Sequence, residues 1–226
     1  MMELRAEKIS QDFLRYSAKD GYFIAVQETD FRLAAGTLTV VTGRSGSGKS
    51  TLLHILGGLM KPVTGRVLVD DVDLYTMGED ARTRLRSRHI GIVPQRLMSL
   101  AALTVRENVL LPALLAGEAE KFAPRADELM ERLGIRKLAS VTPSELSGGE
   151  LRRVTIARAL VMQPGILLTD EPTGDLDEEN TQSVLHLLRE TADAGTAVLL
   201  VTHESEARNY ADTCYTMTVG KLEKIA

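Results

Sequence analysis

The segment Gly43-Arg-Ser-Gly-Ser-Gly-Lys-Ser50 stands between the run TLTVVT (37–42) and the apolar run TLLHILGGLM (51–60). It satisfies the pattern G-x-x-x-x-G-K-[ST] at every defined position. The β-branched run before it predicts a buried strand, and the apolar run after it predicts a helix. A glycine-rich loop between a strand and a helix is the setting in which this pattern cradles phosphates. We therefore predict a phosphate-binding loop here.

Each residue type in this loop suits one part of a nucleotide. The glycines let the backbone N–H groups wrap around the β-phosphate, and Lys49 supplies a positive charge to the β- and γ-phosphates. The Ser50 hydroxyl is predicted to ligate Mg²⁺, and Thr51 is placed to reach the α-phosphate. The residues predicted to contact the nucleotide in this loop are Gly43, Arg44, Ser45, Gly46, Ser47, Gly48, Lys49, Ser50 and Thr51.

The acidic segment ILLTDEP (166–172) predicts a partner for the phosphate loop. An apolar strand that ends in an acid carries that acid to the C-terminal edge of a parallel sheet, where the phosphate loop also lies. We assign Asp170 to Mg²⁺, through water, because Mg²⁺ keeps several of its waters. Glu171 follows directly and is assigned as the general base for the attacking water.

Two further strands are predicted to end at the same edge. His203 follows the run AVLLVT, and it is placed to contact the γ-phosphate and to hold the geometry around Glu171. Gln95 follows HIGIVP, and a glutamine there can ligate Mg²⁺ and orient water before the chain enters a helical region. His203, Glu204 and Glu206 superficially resemble a metal cluster, but the phosphate loop already accounts for this edge.

The stretch LSGGE (146–150) raises a separate question. Ser147 and Glu150 have the spacing of a capping box, which predicts the start of a helix. Gly148 and Gly149 nevertheless fill its first turn, although each glycine disfavours a helix by about 1 kcal/mol relative to alanine. Glycines and open N–H groups at a helix start suit an anion that approaches the backbone closely, which indicates a second phosphate-ready site.

The composition limits the possible functions. The chain has 226 residues, of which 44% are hydrophobic and 26% charged, as is typical of globular proteins. Its net charge of −4 gives no global basic signal for nucleic acid, and its one cysteine, Cys214, excludes an internal disulfide. The polar N-terminus lacks the core of a signal peptide, and no apolar run approaches the roughly 18 residues of a membrane helix. We expect another chain to supply any membrane spans.

The order of the predicted elements indicates the architecture. Short β-rich pieces in residues 4–41 predict a small sheet that feeds a buried strand. Strands then alternate with helices, which indicates an α/β core with a parallel sheet. We predict one domain over residues 1–226, with the core and a small antiparallel β subdomain in 1–94 and 163–226. A helical subdomain is inserted at 95–162.

Taken together, the motifs resemble the ATP-binding subunit of an ABC transporter. GRSGSGKST, IVPQ, LSGGE, ILLTDEP, GDLD and VTH occur in that family's order and at its spacing, over essentially the whole chain. LSGGE followed by a helix is the specific signature, because other P-loop ATPases lack it. The resemblance implies a P-loop NTPase fold with a RecA-like core. The stretches STLLHILGGLMKPVTG, TVRENVLLPALL and PSELSGGELRR most resemble the branch of lipoprotein release, macrolide efflux, peptide resistance and cell division.

The resemblance also implies roles for individual residues. Gln95 matches the residue that senses Mg²⁺ and faces the transmembrane partner, and His203 matches the switch histidine. In a head-to-tail dimer the two phosphate-ready sites belong to different ATP molecules, and the LSGGE segment reaches the ATP of the other copy. The residues implied to contact that ATP across the dimer are Ser147, Gly148, Gly149, Glu150 and Asp177.

An aromatic residue is implied to stack on adenine. Tyr16 lies 27 residues before Gly43 and matches that residue of the family. Tyr22 and Phe23 are rivals for the same position.

Three positions depart from the family pattern, of which the mildest is Thr169, which interrupts the apolar run before Asp170. Arg152 stands where the family commonly has glutamine, which puts any nucleotide contact from that position in doubt. Arg96 follows Gln95 where the close branch often has an aromatic residue, so the groove that faces the partner is expected to be unusual. The catalytic set itself is intact, which predicts an active site.

The resemblance implies an ATPase subunit that binds ATP and Mg²⁺, dimerises, and lies at the cytoplasmic face of a membrane through a separate permease of an export or mechanotransmission type. ATP binding closes the dimer and hydrolysis opens it. An ATP-dependent switch of a membrane partner, without transport, would have nearly the same sequence. An ABC ATPase acting on ribosomes or DNA is disfavoured, because the chain has a single cassette and no basic excess.

Overall fold

The computed structural model describes residues 2–14 and 21–225 and contains two β-sheets with helices around them. The strands are β1 (Leu4–Leu14), β2 (Tyr22–Leu33), β3 (Leu38–Thr42), β4 (Thr64–Val69), β5 (Val72–Asp73), β6 (Ile90–Val93), β7 (Ile166–Asp170), β8 (Ala197–Thr202), β9 (Thr213–Thr218) and β10 (Lys221–Lys224). The α-helices are α1 (Lys49–Leu56), α2 (Glu79–His89), α3 (Val105–Leu115), α4 (Ala119–Arg132), α5 (Gly148–Leu160) and α6 (Glu178–Asp193).

The larger sheet has the strand order β10-β9-β3-β8-β7-β6 and is parallel except for β10. Its register places Thr42 beside Thr202, and Asp170 beside Val201. Because parallel strands share a C-terminal edge, the segments that follow β3, β6, β7 and β8 start side by side. The predicted α/β fold with a parallel core sheet is confirmed.

The smaller sheet is antiparallel, with the order β2-β1-β4-β5. The sequence-based reading predicted strands only in pieces here and missed the start of β1 in LRAEKISQDFL. That strand buries Leu4, Ala6 and Ile9 but carries charged residues between them, and register shifts interrupt its pairing with β2. The irregular register breaks the simple period-2 pattern on which a sequence prediction depends.

Helices α3, α4 and α5 occupy the chain between β6 and β7 and contact one another. They contribute Val109, Leu129 and Ile156 to a hydrophobic core that continues to β3 and β8 on one face of the larger sheet. A second core on the opposite face joins α1 to the smaller sheet. The predicted helical insertion thus packs onto the sheet, while its exact boundaries at 95 and 162 stay a prediction.

The hairpin of β9 and β10 was not predicted from sequence. Its strands mix buried Cys214 and Met217 with half-exposed threonines and lysines, so no apolar run marks them. β9 nevertheless pairs in parallel with β3 and completes the sheet beside the phosphate loop.

Candidate functional site

A cavity of about 1020 Å³ lies at the C-terminal edge of the larger sheet. The loop Arg44–Thr51 forms one wall, and Gln95, Asp170, Glu171 and His203 come from the ends of three other strands. These residues were predicted separately from four motifs, and the parallel register brings them into one space.

The glycines of the loop are required by close backbone contacts within the chain. A Cβ atom on Gly48 would lie 1.9 Å from the carbonyl oxygen of Ala25, and Gly48 has a φ of 108°. A Cβ atom on Gly43 would lie 2.4 Å from the carbonyl oxygen of Met217. At Gly46, with a φ of 77°, no atom lies within 4 Å of the Cβ position, so its backbone faces open space. Close backbone contacts therefore restrain the loop at Gly43 and Gly48, whereas the loop is open at Gly46.

The polar groups of the loop fit an anionic ligand. The hydroxyl of Ser47 is buried and has no hydrogen-bond partner among the described residues. The ammonium of Lys49 donates to the carbonyl oxygens of Gly43 at 2.7 Å and Arg44 at 3.2 Å, so it lies across the loop. Helix α1 begins at Lys49 after Gly48, without a side-chain cap or an acidic residue in its first turn. Its free N–H groups and positive dipole end suit a phosphate.

Asp170 ends β7 and is 3% exposed. Burial raises the pKa of its carboxyl group, while a hydrogen bond with Ser50 acts in the opposite direction and the nearby charge of Glu171 raises the pKa further. Ser50, Gln95 and Asp170 all offer oxygen atoms to the same cavity, and oxygen is the donor that Mg²⁺ prefers. A buried carboxylate with this donor set fits a divalent cation that compensates its charge.

Glu171 is held at the mouth of the cavity by three groups of the next strand. Its Oε2 accepts hydrogen bonds from the Thr202 hydroxyl at 3.1 Å and from the His203 backbone N–H at 3.3 Å. The Nδ1 of His203 lies 2.9 Å from the same oxygen. Glu171 also has a φ of 49°, in the left-handed region that residues other than glycine rarely adopt. The predicted neighbourhood of His203 and Glu171 is therefore present, and Thr202 is a partner that the sequence did not indicate.

Gln95 is exposed and begins the connection from β6 to α3. Its carbonyl oxygen accepts a hydrogen bond from Arg152 of α5 at 3.0 Å, and that of Pro94 accepts one from the same nitrogen at 3.2 Å. Arg152 also lines the cavity of about 1020 Å³ at the sheet edge, which we call the nucleotide cavity because it contains the predicted phosphate loop. Arg152, a position that departs from the family pattern, thus contacts the backbone of Gln95.

The LSGGE segment lines a different cavity, of about 440 Å³. The ends of this cavity are formed by Ser147–Glu150 of the signature segment and by Asp175–Asp177 after β7. Apart from Asp175, none of the described residues that line it also lines the nucleotide cavity. Within one copy of the chain, the two phosphate-ready segments therefore face separate spaces.

The capping box predicted at Ser147 and Glu150 is confirmed. The Ser147 hydroxyl accepts a hydrogen bond from the Glu150 N–H at 3.3 Å, and the Glu150 carboxylate accepts one from the Ser147 N–H at 2.8 Å. The hydroxyl of Ser147 lowers the pKa of Glu150 first, and its N–H adds to the effect. Asp177 caps α6 and accepts from the Asn180 N–H at 2.8 Å, which lowers the pKa of Asp177.

Of the aromatic candidates, only Phe23 is seen at the nucleotide cavity in the described part of the chain. Tyr22 is 54% exposed and is not among the residues that line the cavity. Tyr16 lies outside the described residues.

The sequence assigned no role to Asp175 or Asn108, of which only Asp175 lines the two cavities. Asp175 was an undistinguished residue of the GDLD motif, yet it borders both cavities. Asn108 is fully buried and bonds the backbone of Leu100, Leu103 and Thr104, which shapes the loop after Gln95. A buried asparagine near a helix start shows its role only when its partners are known.

Two absences can be stated for the part of the chain that the structure describes. No described helix is long and apolar enough to cross a membrane. No group of three His, Cys, Asp or Glu side chains in residues 2–14 and 21–225 could hold a metal ion, and the carboxylate of Glu204 accepts a hydrogen bond from the Thr173 hydroxyl at 2.9 Å.

The fold and the two cavities define an ATP-binding cassette: a P-loop core with a helical insertion that carries a second anion-ready helix start. In agreement, the sequence model described as "ABC transporter" matches residues 26–174. The chain belongs to the ABC transporter family.

Curated relatives extend this likeness over most of the chain. The lipoprotein-releasing system ATP-binding protein LolD of Shewanella oneidensis is 40% identical over 200 residues, which cover 88% of this chain and 87% of LolD. The macrolide export ATP-binding/permease protein MacB of Salmonella typhimurium is 39% identical over 208 residues, covering 92% of this chain and 32% of MacB. The chain thus spans about a third of the length of MacB.

Solved structures show the same architecture. The dimeric structure of MJ0796, a bacterial ABC transporter cassette, has a TM-score of 0.89 and 29% sequence identity, with 99% of each chain covered. A dimer of the same cassette in a post-hydrolysis state, bound to ADP and phosphate, has a TM-score of 0.88 over 99% of each chain.

Proposed function

We propose that this chain is the ATP-hydrolysing subunit of a transporter, that it acts as a dimer of two identical copies, and that it drives a separate membrane permease of an export or mechanotransmission type. The observation that carries the proposal is the separation of the two cavities. One holds the phosphate loop and Glu171, and the other holds the LSGGE segment. A single copy cannot bring both to one ATP, whereas two copies arranged head to tail can.

The proposed chemistry is the attack of water on the γ-phosphate of ATP. The loop N–H groups and Lys49 hold the phosphates and stabilise the charge that develops on their oxygens. Glu171 accepts the proton of the attacking water, and its hydrogen bonds from Thr202 and His203 keep the carboxylate aimed into the cavity. His203, whose side chain is 68% exposed at this mouth, is free to contact the γ-phosphate.

Ser50 and Gln95 are proposed to ligate Mg²⁺ directly, and Asp170 through water. Mg²⁺ neutralises charge on the β- and γ-phosphates when it is bound with the nucleotide. The chain's contribution is to present three oxygen donors to the same cavity and to keep the Asp170 carboxylate buried beside the phosphate loop.

Ser147–Glu150 and Asp177 are proposed to contact the ATP of the other copy. The Ser147 hydroxyl and the N–H groups of Gly148 and Gly149 lie at the start of α5, where the helix dipole favours an anion. The dimeric, ADP- and phosphate-bound state of MJ0796 is a precedent for a nucleotide-bound dimer of this fold.

A groove of about 560 Å³ between α2, α3 and α5 supports the proposed membrane partner. It is lined by apolar residues such as Leu111 and Leu115, and Leu115 is 82% exposed. Arg84 of α2 and Arg158 of α5 also line it. We propose that a helix of the permease docks here, which would hold this chain at the cytoplasmic face of the membrane. Relatives named for lipoprotein release and macrolide export favour transport over a purely regulatory switch.

The variant Glu171→Gln tests the ATPase cycle. We expect it to bind ATP but to lose at least about 100-fold in turnover, as positioned bases contribute roughly 10²–10⁴-fold. ATP should then trap the dimer, which size-exclusion chromatography with light scattering will detect. Wild-type chain with ADP is the matched control. A Glu171→Gln chain that stays monomeric with ATP and hydrolyses it normally would contradict the proposal.

Copurification tests the partner. The tagged chain, extracted from its own membranes in mild detergent, should bring down one integral membrane protein. Addition of that protein in lipid vesicles should raise ATP turnover, and turnover should rise again with a transported compound. Stimulation by the membrane chain alone, with no response to any exported compound, would instead favour the regulatory switch.

A further inference from the structure

Asp175 stands between the two cavities. It lines the nucleotide cavity together with Gly174 and Arg152. It also lines the cavity of about 440 Å³ at Ser147–Glu150, called the signature cavity here, together with Gly148 and Gly149. A Cβ atom on Gly149 would lie 3.1 Å from the Asp175 carbonyl oxygen, so the Asp175 turn packs closely against the first turn of α5. A displacement of this turn would therefore change the lining of both cavities.

Arg152 joins the same turn to the segment after β6. Its side chain is only 4% exposed, and its Nη2 lies 3.6 Å from a carboxylate oxygen of Asp175. Its Nη1 donates to the carbonyl oxygens of Pro94 and Gln95 at 3.2 and 3.0 Å. The guanidinium therefore contacts, from one point on α5, both the Gln95 backbone and the Asp175 turn.

The chemistry of the guanidinium suits this bridge. Its planar fork presents donors in two directions at once, whereas a glutamine amide is shorter and uncharged and a lysine ammonium is a single point. The Arg152 Nε is buried without a partner among the described residues, so the charge depends on the groups at Nη1 and Nη2. Asp175 has a φ of 68°, in the left-handed region that aspartate adopts more readily than most residues other than glycine.

We propose that Arg152 is a positioning residue that links magnesium and nucleotide contact at Gln95 to the placement of the Ser147–Glu150 segment, through Asp175. The inference rests on the proposed function, because it takes Gln95 as a Mg²⁺ contact and the signature segment as a contact to the second ATP. Arg152 touches neither ligand in this role. Its Nη1 bonds the backbone of Gln95, and its Nη2 contacts the Asp175 turn, which packs against the start of α5.

The test compares Arg152→Gln, Asp175→Asn and the double variant. We expect each single variant to retain ATP binding, since the phosphate loop is untouched, but to lower kcat about three- to tenfold. The Mg²⁺ concentration for half-maximal turnover should rise by a similar factor in Arg152→Gln. Because both residues act through one contact, the double variant should be no slower than Arg152→Gln. Arg152→Lys should restore little.

Hydrogen exchange supplies a readout that needs no activity. In the nucleotide-free chain, Arg152→Gln should speed exchange at residues 94–98 and 174–177, and Asp175→Asn, whose exposed side chain can be changed with little risk to folding, should speed it at 174–177. Arg189→Gln is the matched control, since Arg189 also bonds a carbonyl oxygen, that of Tyr210, and a carboxylate, that of Asp212, away from both cavities. It should leave both segments and the Mg²⁺ dependence unchanged.

The outcomes separate this inference from the proposed function. If the effects of Arg152→Gln and Asp175→Asn multiply, or if Arg152→Gln lowers only the thermal stability, Arg152 is a packing residue and the inference is wrong. If the wild-type chain hydrolyses no ATP, the proposed function fails, while the exchange at 94–98 and 174–177 still decides whether Arg152 ties the two segments.

Discussion

The glycines of the phosphate loop and those that start α5 are similar in sequence but occupy different surroundings. At Gly48 an added Cβ atom would collide with the backbone of Ala25 at 1.9 Å. At Gly148 the nearest atom to an added Cβ would be the Cβ of Asp175 at 3.8 Å, which is an ordinary contact. The chain's own fold thus requires glycine at 48 but not at 148. A requirement for glycine at 148 must come from a ligand or a partner, as the proposed dimer supplies.

Gly149 is intermediate between these two cases. An added Cβ atom would lie 3.1 Å from the Asp175 carbonyl oxygen and 3.3 Å from the Leu176 side chain. These distances are tight, so the neighbours would have to shift slightly. The contrast between folding and function is therefore cleanest at Gly48 and Gly148, and substitutions there test it most directly.

The largest effect is expected for Gly48→Ala. The left-handed backbone costs a non-glycine residue about 1–2 kcal/mol, and the collision with Ala25 adds to this cost. We expect the loop to rearrange, thermal stability to fall, and ATP affinity to drop by at least about 100-fold, which corresponds to about 2.7 kcal/mol. Titration with a fluorescent ATP analogue and thermal unfolding measure both. Normal ATP binding by Gly48→Ala would show that the backbone contact does not hold the loop.

Gly148→Asp should separate binding from turnover. Outside its own helix, the nearest described atom to an added Cβ at Gly148 lies 3.8 Å away, so stability and ATP binding by the monomer should stay close to those of the wild type. The new carboxylate would face the γ-phosphate of the other copy, and we expect dimerisation and turnover to fall by at least about 100-fold. Gly148→Ala is the control for the loss of glycine alone and should fold as well as the wild type. If Gly148→Asp lowers only the folding stability, the LSGGE segment is merely a capping box.

The sequence predicted the parallel core better than its margins. β7 and β8 have the predicted bounds because each is apolar except for Thr169, Asp170 and Thr202 at the strand ends, as is typical of strands buried on both faces. β9 and β10 were missed because their alternating polar residues resemble a loop, and β1 was incomplete because bulges disturb its period. Strand prediction depends on a pattern that only the centre of the sheet carries clearly.

The site divides in the same way. The sequence predicts that Asp170, Glu171 and His203 lie at one edge of the sheet. The prediction is possible because residues at or just after the ends of parallel strands lie at the same C-terminal edge. The contact of Arg152 with Asp175 had no such rule behind it. It depends on how α5 is oriented on the sheet, and the sequence indicated only that Arg152 is unusual.

The acids of the two regions respond to the fold in opposite ways. Burial raises the pKa of Asp170 in the phosphate-loop region, so its ionised form opposes folding. Hydrogen bonds lower the pKa of Glu150 in the signature region, so its ionised form favours folding. The ionised Asp170 thus costs folding stability in the nucleotide cavity, a cost that the proposed Mg²⁺ would compensate, whereas the signature segment is already stabilised in the free chain.

Thermal unfolding as a function of pH measures this difference, which we expect to be the smallest of the three effects. At pH 7 without nucleotide, Asp170→Asn should unfold at a higher temperature than the wild type, because the substitution removes a buried charge. The gap should close as the pH falls through the raised pKa toward the ordinary 3.8, where the wild-type carboxyl group is also neutral. At pH 7, Glu150→Gln should unfold at a lower temperature than the wild type. The difference in unfolding temperature should disappear only as the pH falls below 4.5. Mg²⁺ with ATP should stabilise the wild type more than Asp170→Asn, and a pH-independent gap for both variants would contradict the opposite roles of the two acids.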